Sequence, residues 1–138
     1  LMDTPELRQQ LDAVLARYKL EAHRDSTVSA LAQGVRKLLD IAMAVVSRPR
    51  ILLLDEPTSG ISVEEKFDFM DIVMDALKED GVTVLFVEHD MEIVARYVSR
   101  VLAFYQGEII ADMPPKKALS DKKVQEFVIG KEHHKRKK

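Results

Sequence analysis

Two short apolar runs, ILLL at residues 51–54 and TVLFV at 83–87, leave this chain few folds to choose from. Neither run alternates apolar with polar residues. Each therefore reads as a strand covered on both faces, the pattern of a parallel sheet. Parallel neighbours need a crossover connection, most often a helix. The intervening 63–79 has helical periodicity, with Phe67, Met70, Val73, Met74 and Leu77 on its inward stripe. Gly81 stands where such a helix needs a left-handed residue to end. Strand, helix and strand in this order form a βαβ unit. The expected class is α/β, with a mostly parallel sheet flanked by helices.

The remaining segments fit around that unit. Residues 4–20 read as a helix capped by Thr4, with Pro5 in its first turn and an apolar stripe of Leu7, Leu11, Val14, Leu15 and Tyr18. A polar, irregular connection leads to a second helix at 35–46, apolar on most sides toward its end and stopped by Arg48-Pro49. A short helix is expected at 91–97. RVLAFYQGEIIA then reads as two strands turning at Gln106-Gly107, a C-terminal antiparallel hairpin, and helices near 115–119 and 121–129 follow.

Composition narrows the class of function. A chain of 138 residues is about one ordinary domain, and its net charge of −2 argues against a general nucleic-acid binder. The absence of cysteine excludes disulfides and thiolate metal sites. No apolar run approaches the ~18 residues that span a bilayer, and the polar, acidic opening LMDTPELRQQ does not resemble a signal peptide. The chain reads as soluble and cytosolic. Charge is uneven: KEHHKRKK, residues 131–138, carries a net +4 against −6 for the rest. This basic tail reads as a solvated segment, with contact to an anionic surface as the sharper alternative.

Three elements carry candidate chemistry. ILLL ends abruptly in Asp55-Glu56-Pro57. The carboxyl ends of parallel strands are where α/β folds bind ligands. There Asp55 can hold a magnesium ion, usually through water, while Glu56 can orient or deprotonate a water for attack on a phosphate. Acidic residues often end strands, so the pair alone identifies nothing. His89 follows the second apolar run, and in a parallel sheet it would emerge at the same edge. LAQGV, Leu31 to Val35, places Gly34 in a small turn before a helix, where free backbone N–H groups can meet an anion. His23, His133 and His134 lie in polar stretches and read as surface residues.

Order and spacing sharpen these signals: Gly34 to Asp55 is 21 residues, and Asp55 to His89 is 34. Here the chain resembles the ATP-binding subunits of ABC transporters. LAQGV is similar to the signature motif usually written LSGGQ, ILLLDEP to the Walker B motif, SGIS at 59–62 to the D-loop, and VLFVEHD to the switch-histidine strand. The resemblance spans about residues 4–130. DEPTSG, VEHDM and the late SDKKVQEFVIG look most like the branched-chain amino acid importer branch.

The resemblance implies the C-terminal portion of an ABC-type P-loop NTPase domain. Residues 1–34 would be the remnant of a helical subdomain with the signature, 35–130 the α/β core portion, and 131–138 the tail. It implies Asp55 as a magnesium residue, Glu56 and His89 as catalytic residues, and Leu31, Ala32, Gln33, Gly34 and Val35 as a signature that reaches phosphate in trans. Ser59 and Gly60 would belong to the D-loop. It further implies Mg-ATP as cofactor, transmembrane permease subunits and a second ATPase subunit as partners, and a cytoplasmic position at the inner face of the membrane.

Two departures qualify the resemblance. Ala32 stands where the motif has Ser, and Val35 where it has Gln. The phosphate-cradling pattern GxxxxGK[ST] is absent: the five glycines are at 34, 60, 81, 107 and 130, and of these Gly130 alone precedes a lysine. The chain alone is therefore expected neither to bind ATP tightly nor to hydrolyse it, and to self-associate where a sheet lacks its neighbours. Three readings stay open: part of an ATPase subunit that powers an importer, half of a split ATPase completed by a P-loop polypeptide, and a non-catalytic interaction module that kept the fold.

Overall fold

The computed structural model describes residues 4–130, so the basic tail at 131–138 lies outside the described residues. Two compact units divide the chain between Val87 and Glu88.

The first unit opens with helix α1, Pro5–Arg17, capped by the Thr4 hydroxyl accepting from the Leu7 amide at 3.3 Å. It ends at Arg17, three residues short of the expected bound, with Tyr18 as its C-cap. Lys19 adopts a left-handed φ of 54°, and the amides of Lys19 and Leu20 turn back onto the carbonyls of Ala16 and Leu15. That pairing is the Schellman stop, normally built on glycine. Two short 3₁₀ turns, Glu21–His23 and Val28–Ala30, bridge to helix α2, Gln33–Val46. Arg48, also left-handed at φ 53°, ends α2 before Pro49. Strand β1 is Ile51–Asp55, helix α3 Lys66–Glu79 and strand β2 Thr83–Val87. Gly81 closes α3 as expected: its amide bonds Lys78, and the Val82 amide bonds Leu77.

β1 and β2 pair in parallel, Ile51 opposite Thr83 through to Asp55 opposite Val87. Leu52 is buried on one face of this pair, while α2 packs on α3. The core of the unit includes Leu38, Ile41, Val45, Phe69, Met70, Val73 and Leu77.

Three expectations need correction. The strands are not covered on both faces: Ile51, Leu53, Leu85 and Val87 are 53–70% exposed, all on the face opposite Leu52. Among the described residues this sheet has two strands, so its continuous apolar pattern exceeds what those residues cover. The α3 stripe is rotated: Phe69 and Ala76 are buried, while Phe67 and Met74 are half-buried. On α1, Leu15 and Tyr18 are buried but Leu7 and Leu11 are exposed. Among the described residues, only the C-terminal half of that helix is buried against apolar neighbours.

The second unit contains helix α4, Met91–Tyr97, and the antiparallel strands β3, Val101–Tyr105, and β4, Glu108–Met113. Gln106 and Gly107 both take positive φ, 49° and 85°, as a two-residue type I′ hairpin requires. Helices α5, Pro115–Ser120, and α6, Lys122–Val124, follow, and α6 runs into a π-helical turn, Gln125–Ile129. Ala103, Ala111 and Val124 form the unit's core, packed by Ile110, Met113 and Ile129. Tyr105 stacks on Phe127 with centroids 4.7 Å apart.

Candidate functional site

The candidate site in the first unit is built at the carboxyl end of β1. Asp55 is its last residue, exposed, and paired across the sheet with Val87, the last residue of β2. Both strands thus end at one edge, as the parallel pattern predicts. Glu56 leaves the strand at once. Its φ of 45° is left-handed, a conformation that costs a non-glycine residue roughly 1–2 kcal/mol. This backbone bend, and not strand alternation, therefore sets the direction of Glu56. The Glu56 amide still donates to the Val87 carbonyl at 2.9 Å. Its own carbonyl accepts from the Ser59 amide at 3.0 Å, and the Thr58 carbonyl from Ile61 at 3.1 Å. Residues 56–61 therefore form a tight turn directly after the carboxylate pair.

The LAQGV segment meets that turn. Leu31 is buried, and Ala32 is the N-cap of α2, where it offers no side-chain bond. Gln33 begins the helix, followed by half-buried Gly34 and Val35. The Gln33 side chain lies over Gly60: a Cβ at Gly60 would meet Gln33 Nε2 at 2.2 Å and Cδ at 2.8 Å. One turn further along α2, Lys37 Nζ donates to the carbonyls of Glu56 at 3.3 Å, Pro57 at 3.0 Å and Ser59 at 2.6 Å. The structure thus joins Asp55, Glu56, Ser59, Gly60 and the first turns of α2 into one local constellation. Lys37 is absent from the motif-based set. Its signal in the sequence is its spacing, four residues after Gln33 and so on the same face of a helix.

His89 belongs to the second unit. It follows β2 by two residues, and its amide donates to Glu88 Oε2 at 3.2 Å. Asp90 then caps α4, accepting from Glu92 at 2.9 Å and Ile93 at 3.4 Å.

The donor set fits a magnesium ion only in part. Magnesium is commonly bound by one or two carboxylates together with substrate phosphates and water, and Asp55 can be one such ligand. Among the described residues no group of three His, Cys, Asp or Glu gathers as a metal site. A cleft of about 550 Å³ does exist in the first unit, lined in part by Val14, Tyr18, Val45, Arg48, Pro49 and Val82. Pro49 and Val82 precede β1 and β2, so this cleft sits at the amino ends of the strands, away from Asp55.

Comparison with known proteins agrees with the geometry. Residues 2–59 match the family model described as ABC transporter. The chain is 32% identical over 119 residues to an energy-coupling factor transporter ATP-binding protein of Clostridium perfringens, covering 86% of this chain and 42% of that one. It is 34% identical over 116 residues to a putative ABC transporter ATP-binding protein of Onion yellows phytoplasma, covering 84% of this chain and 20% of that one. Among solved structures, a nucleotide-free ATP-binding cassette from an ABC transporter superposes with a TM-score of 0.80 at 30% identity, over 94% of this chain and 52% of that one. The cbiO1 protein of Clostridium perfringens, described as part of the ABC transporter complex cbiONQ, gives 0.77 at 32% identity, over 89% and 50%. The chain thus spans about half the length, or less, of the relatives it matches. By sequence similarity and by fold, the chain belongs to the ABC transporter ATP-binding family.

Proposed function

We propose that this chain supplies the water-activating part of an ATPase that powers an importer, and that a phosphate-binding loop carried elsewhere must complete it. The observation that carries this reading is Asp55 at the carboxyl end of β1, paired with the end of β2, with Glu56 turned out of the strand beside it. Asp55 would hold magnesium, which when bound offsets the charge of the phosphates. Glu56 would accept the proton of the attacking water, and His89 would contact the terminal phosphate. Leu31 to Val35 would present α2 amides to a nucleotide held by a second ATPase subunit, and Ser59 and Gly60 would lie at that subunit boundary.

The partners implied are transmembrane permease subunits, placing the assembly at the inner, cytoplasmic face of a membrane. No described helix is long and apolar enough to cross one itself. For the solute, DEPTSG and VEHDM support a branched-chain amino acid importer, while the similar proteins named above include an energy-coupling factor subunit. Uptake of leucine by the assembled complex, measured against unrelated small solutes, tests the first of these.

The chain by itself falls short of tight nucleotide binding. Micromolar affinity needs about 8 kcal/mol, and a helix-terminus contact contributes on the order of 1 kcal/mol. Calorimetry with Mg-ATP is expected to give no low-micromolar binding and no phosphate release. Adding a polypeptide that bears a P-loop is expected to bring turnover that Glu56→Gln abolishes. Turnover by the chain alone, sensitive to Glu56→Gln, would reveal a complete site and overturn the completion requirement. A complex that forms without any turnover favours the interaction module, for which Ala32 and Val35 already argue.

A further inference from the structure

Glu56 occupies a backbone conformation that a glutamate adopts only when its surroundings impose it. Its amide is tied to β2 through Val87, and its carbonyl to Ser59. The third restraint is Lys37. An ammonium group has three donors, and Lys37 Nζ reaches three carbonyls of this turn, those of Glu56, Pro57 and Ser59. A cation among three carbonyl oxygens draws their negative ends together and so favours the tight bend over an extended continuation of β1. Gln33 and Lys37 lie four apart on α2, and both touch the same turn, the first across Gly60 and the second across its carbonyls. Gly60, with φ 75°, leaves room for Gln33 that any side chain would fill.

We propose that Lys37 is the positioning residue of Glu56: by holding the 56–60 turn against the first turns of α2, it sets where the Glu56 carboxylate stands relative to Asp55. The proposal rests on the reading of Glu56 as the residue that activates water. Lys37 acts through the backbone carbonyls of the turn. Its removal should leave nucleotide affinity in place and misplace the carboxylate, and a displacement of about 1 Å can cost on the order of a hundredfold in rate.

The test uses Lys37→Met, which keeps the length and removes the donors, with Lys37→Arg as the conservative variant and Leu38→Ala as a core control on the same helix. Amide exchange on the full chain is read first. Lys37→Met should speed exchange at Ser59 and Ile61 by about tenfold or more while the α3 amides around Val73 keep their rates, whereas Leu38→Ala should speed both. Lys37→Arg should restore much of the protection. Turnover is then read on the chain completed by a P-loop polypeptide: kcat should fall by at least about tenfold with KM for Mg-ATP changed by less than about twofold. Unchanged exchange at Ser59 in Lys37→Met overturns the proposal, because Lys37 then does not hold the turn. Faster exchange with kcat preserved also overturns it, because the turn then does not position Glu56. If the completed wild-type assembly shows no turnover sensitive to Glu56→Gln, the functional reading fails, and the exchange result still decides whether Lys37 holds the turn.

Discussion

Two single residues stand out for what their side chains fail to satisfy. Ala32 caps α2 without a side-chain acceptor, leaving the first amides of the helix to solvent or ligand. Serine at an N-cap accepts one of those amides, and the exchange from alanine is worth roughly 0.5–2 kcal/mol. Ala32→Ser is therefore expected to raise stability by about 1 kcal/mol, measured as a shift of the denaturant midpoint at constant slope. Tyr18 is 1% exposed, and among the described residues its hydroxyl finds no hydrogen-bond partner. Burial pushes its phenol up from the ordinary value near 10, and the nearby Asp80 carboxylate pushes the same way, against a smaller opposing effect of Arg17. A raised folded pKa means that the unfolded chain ionises first as pH climbs. Stability is thus full below about pH 10 and falls as pH rises from there through the folded value. Tyr18→Phe is expected to remove this alkaline loss and to gain about 1 kcal/mol at neutral pH by deleting an unsatisfied buried hydroxyl. Thermal melts between pH 8 and pH 11 check both parts, and a variant that melts lower than wild type at neutral pH would show that the hydroxyl is bonded after all.

At the scale of elements, the helix ends show what the sequence could and could not announce. Gly81 after α3 and Gln106-Gly107 between β3 and β4 were readable because glycine is the residue such turns call for. The stop of α2 was readable from Pro49, but the left-handed conformations of Arg48 and Lys19 were not, because neither residue favours them. Tyr18 and Leu20, both buried, flank Lys19 and anchor the bend around it. Lys19→Gly is expected to stabilise by about 1 kcal/mol, since glycine meets no Cβ penalty at positive φ; an unchanged or lower midpoint on denaturation would show that the lysine stem contributes packing of equal size. The candidate site was legible to the same extent. Asp55, Glu56 and the LAQGV turn declared themselves by residue type at strand and helix ends. Lys37 did not, because its helical spacing from Gln33 is a weak mark and three bonds to backbone carbonyls leave no trace in any motif. The rotation of the α3 stripe was also hidden: Phe67 and Phe69 are both apolar, and only packing decides which of them turns inward.

At the scale of the whole chain, the first unit carries a conflict between its pattern and its surroundings. A parallel sheet is normally covered on both faces, yet Ile51, Leu53, Leu85 and Val87 stand exposed on one. Among the described residues the pair has no third strand, so both of its edges present backbone N–H and C=O groups to any chain that can pair with them. An apolar face bounded by open strand edges favours association over isolation. Purified alone, the chain is expected to self-associate in a concentration-dependent way, by stacking of these faces or by strand pairing. The relatives it resembles are about twice its length or more, so a P-loop polypeptide added in excess should compete with that self-association. Leu53→Lys and Leu85→Lys place charge on the bare face without touching Leu52 or the α2–α3 core. They are expected to leave the melting temperature within a few degrees of wild type while shifting sedimentation toward the monomer. If self-association persisted unchanged in the double variant, the contact would lie elsewhere, and if the wild-type chain stayed monomeric at the highest concentrations, the exposed face would be tolerated by solvent and the expectation would fail.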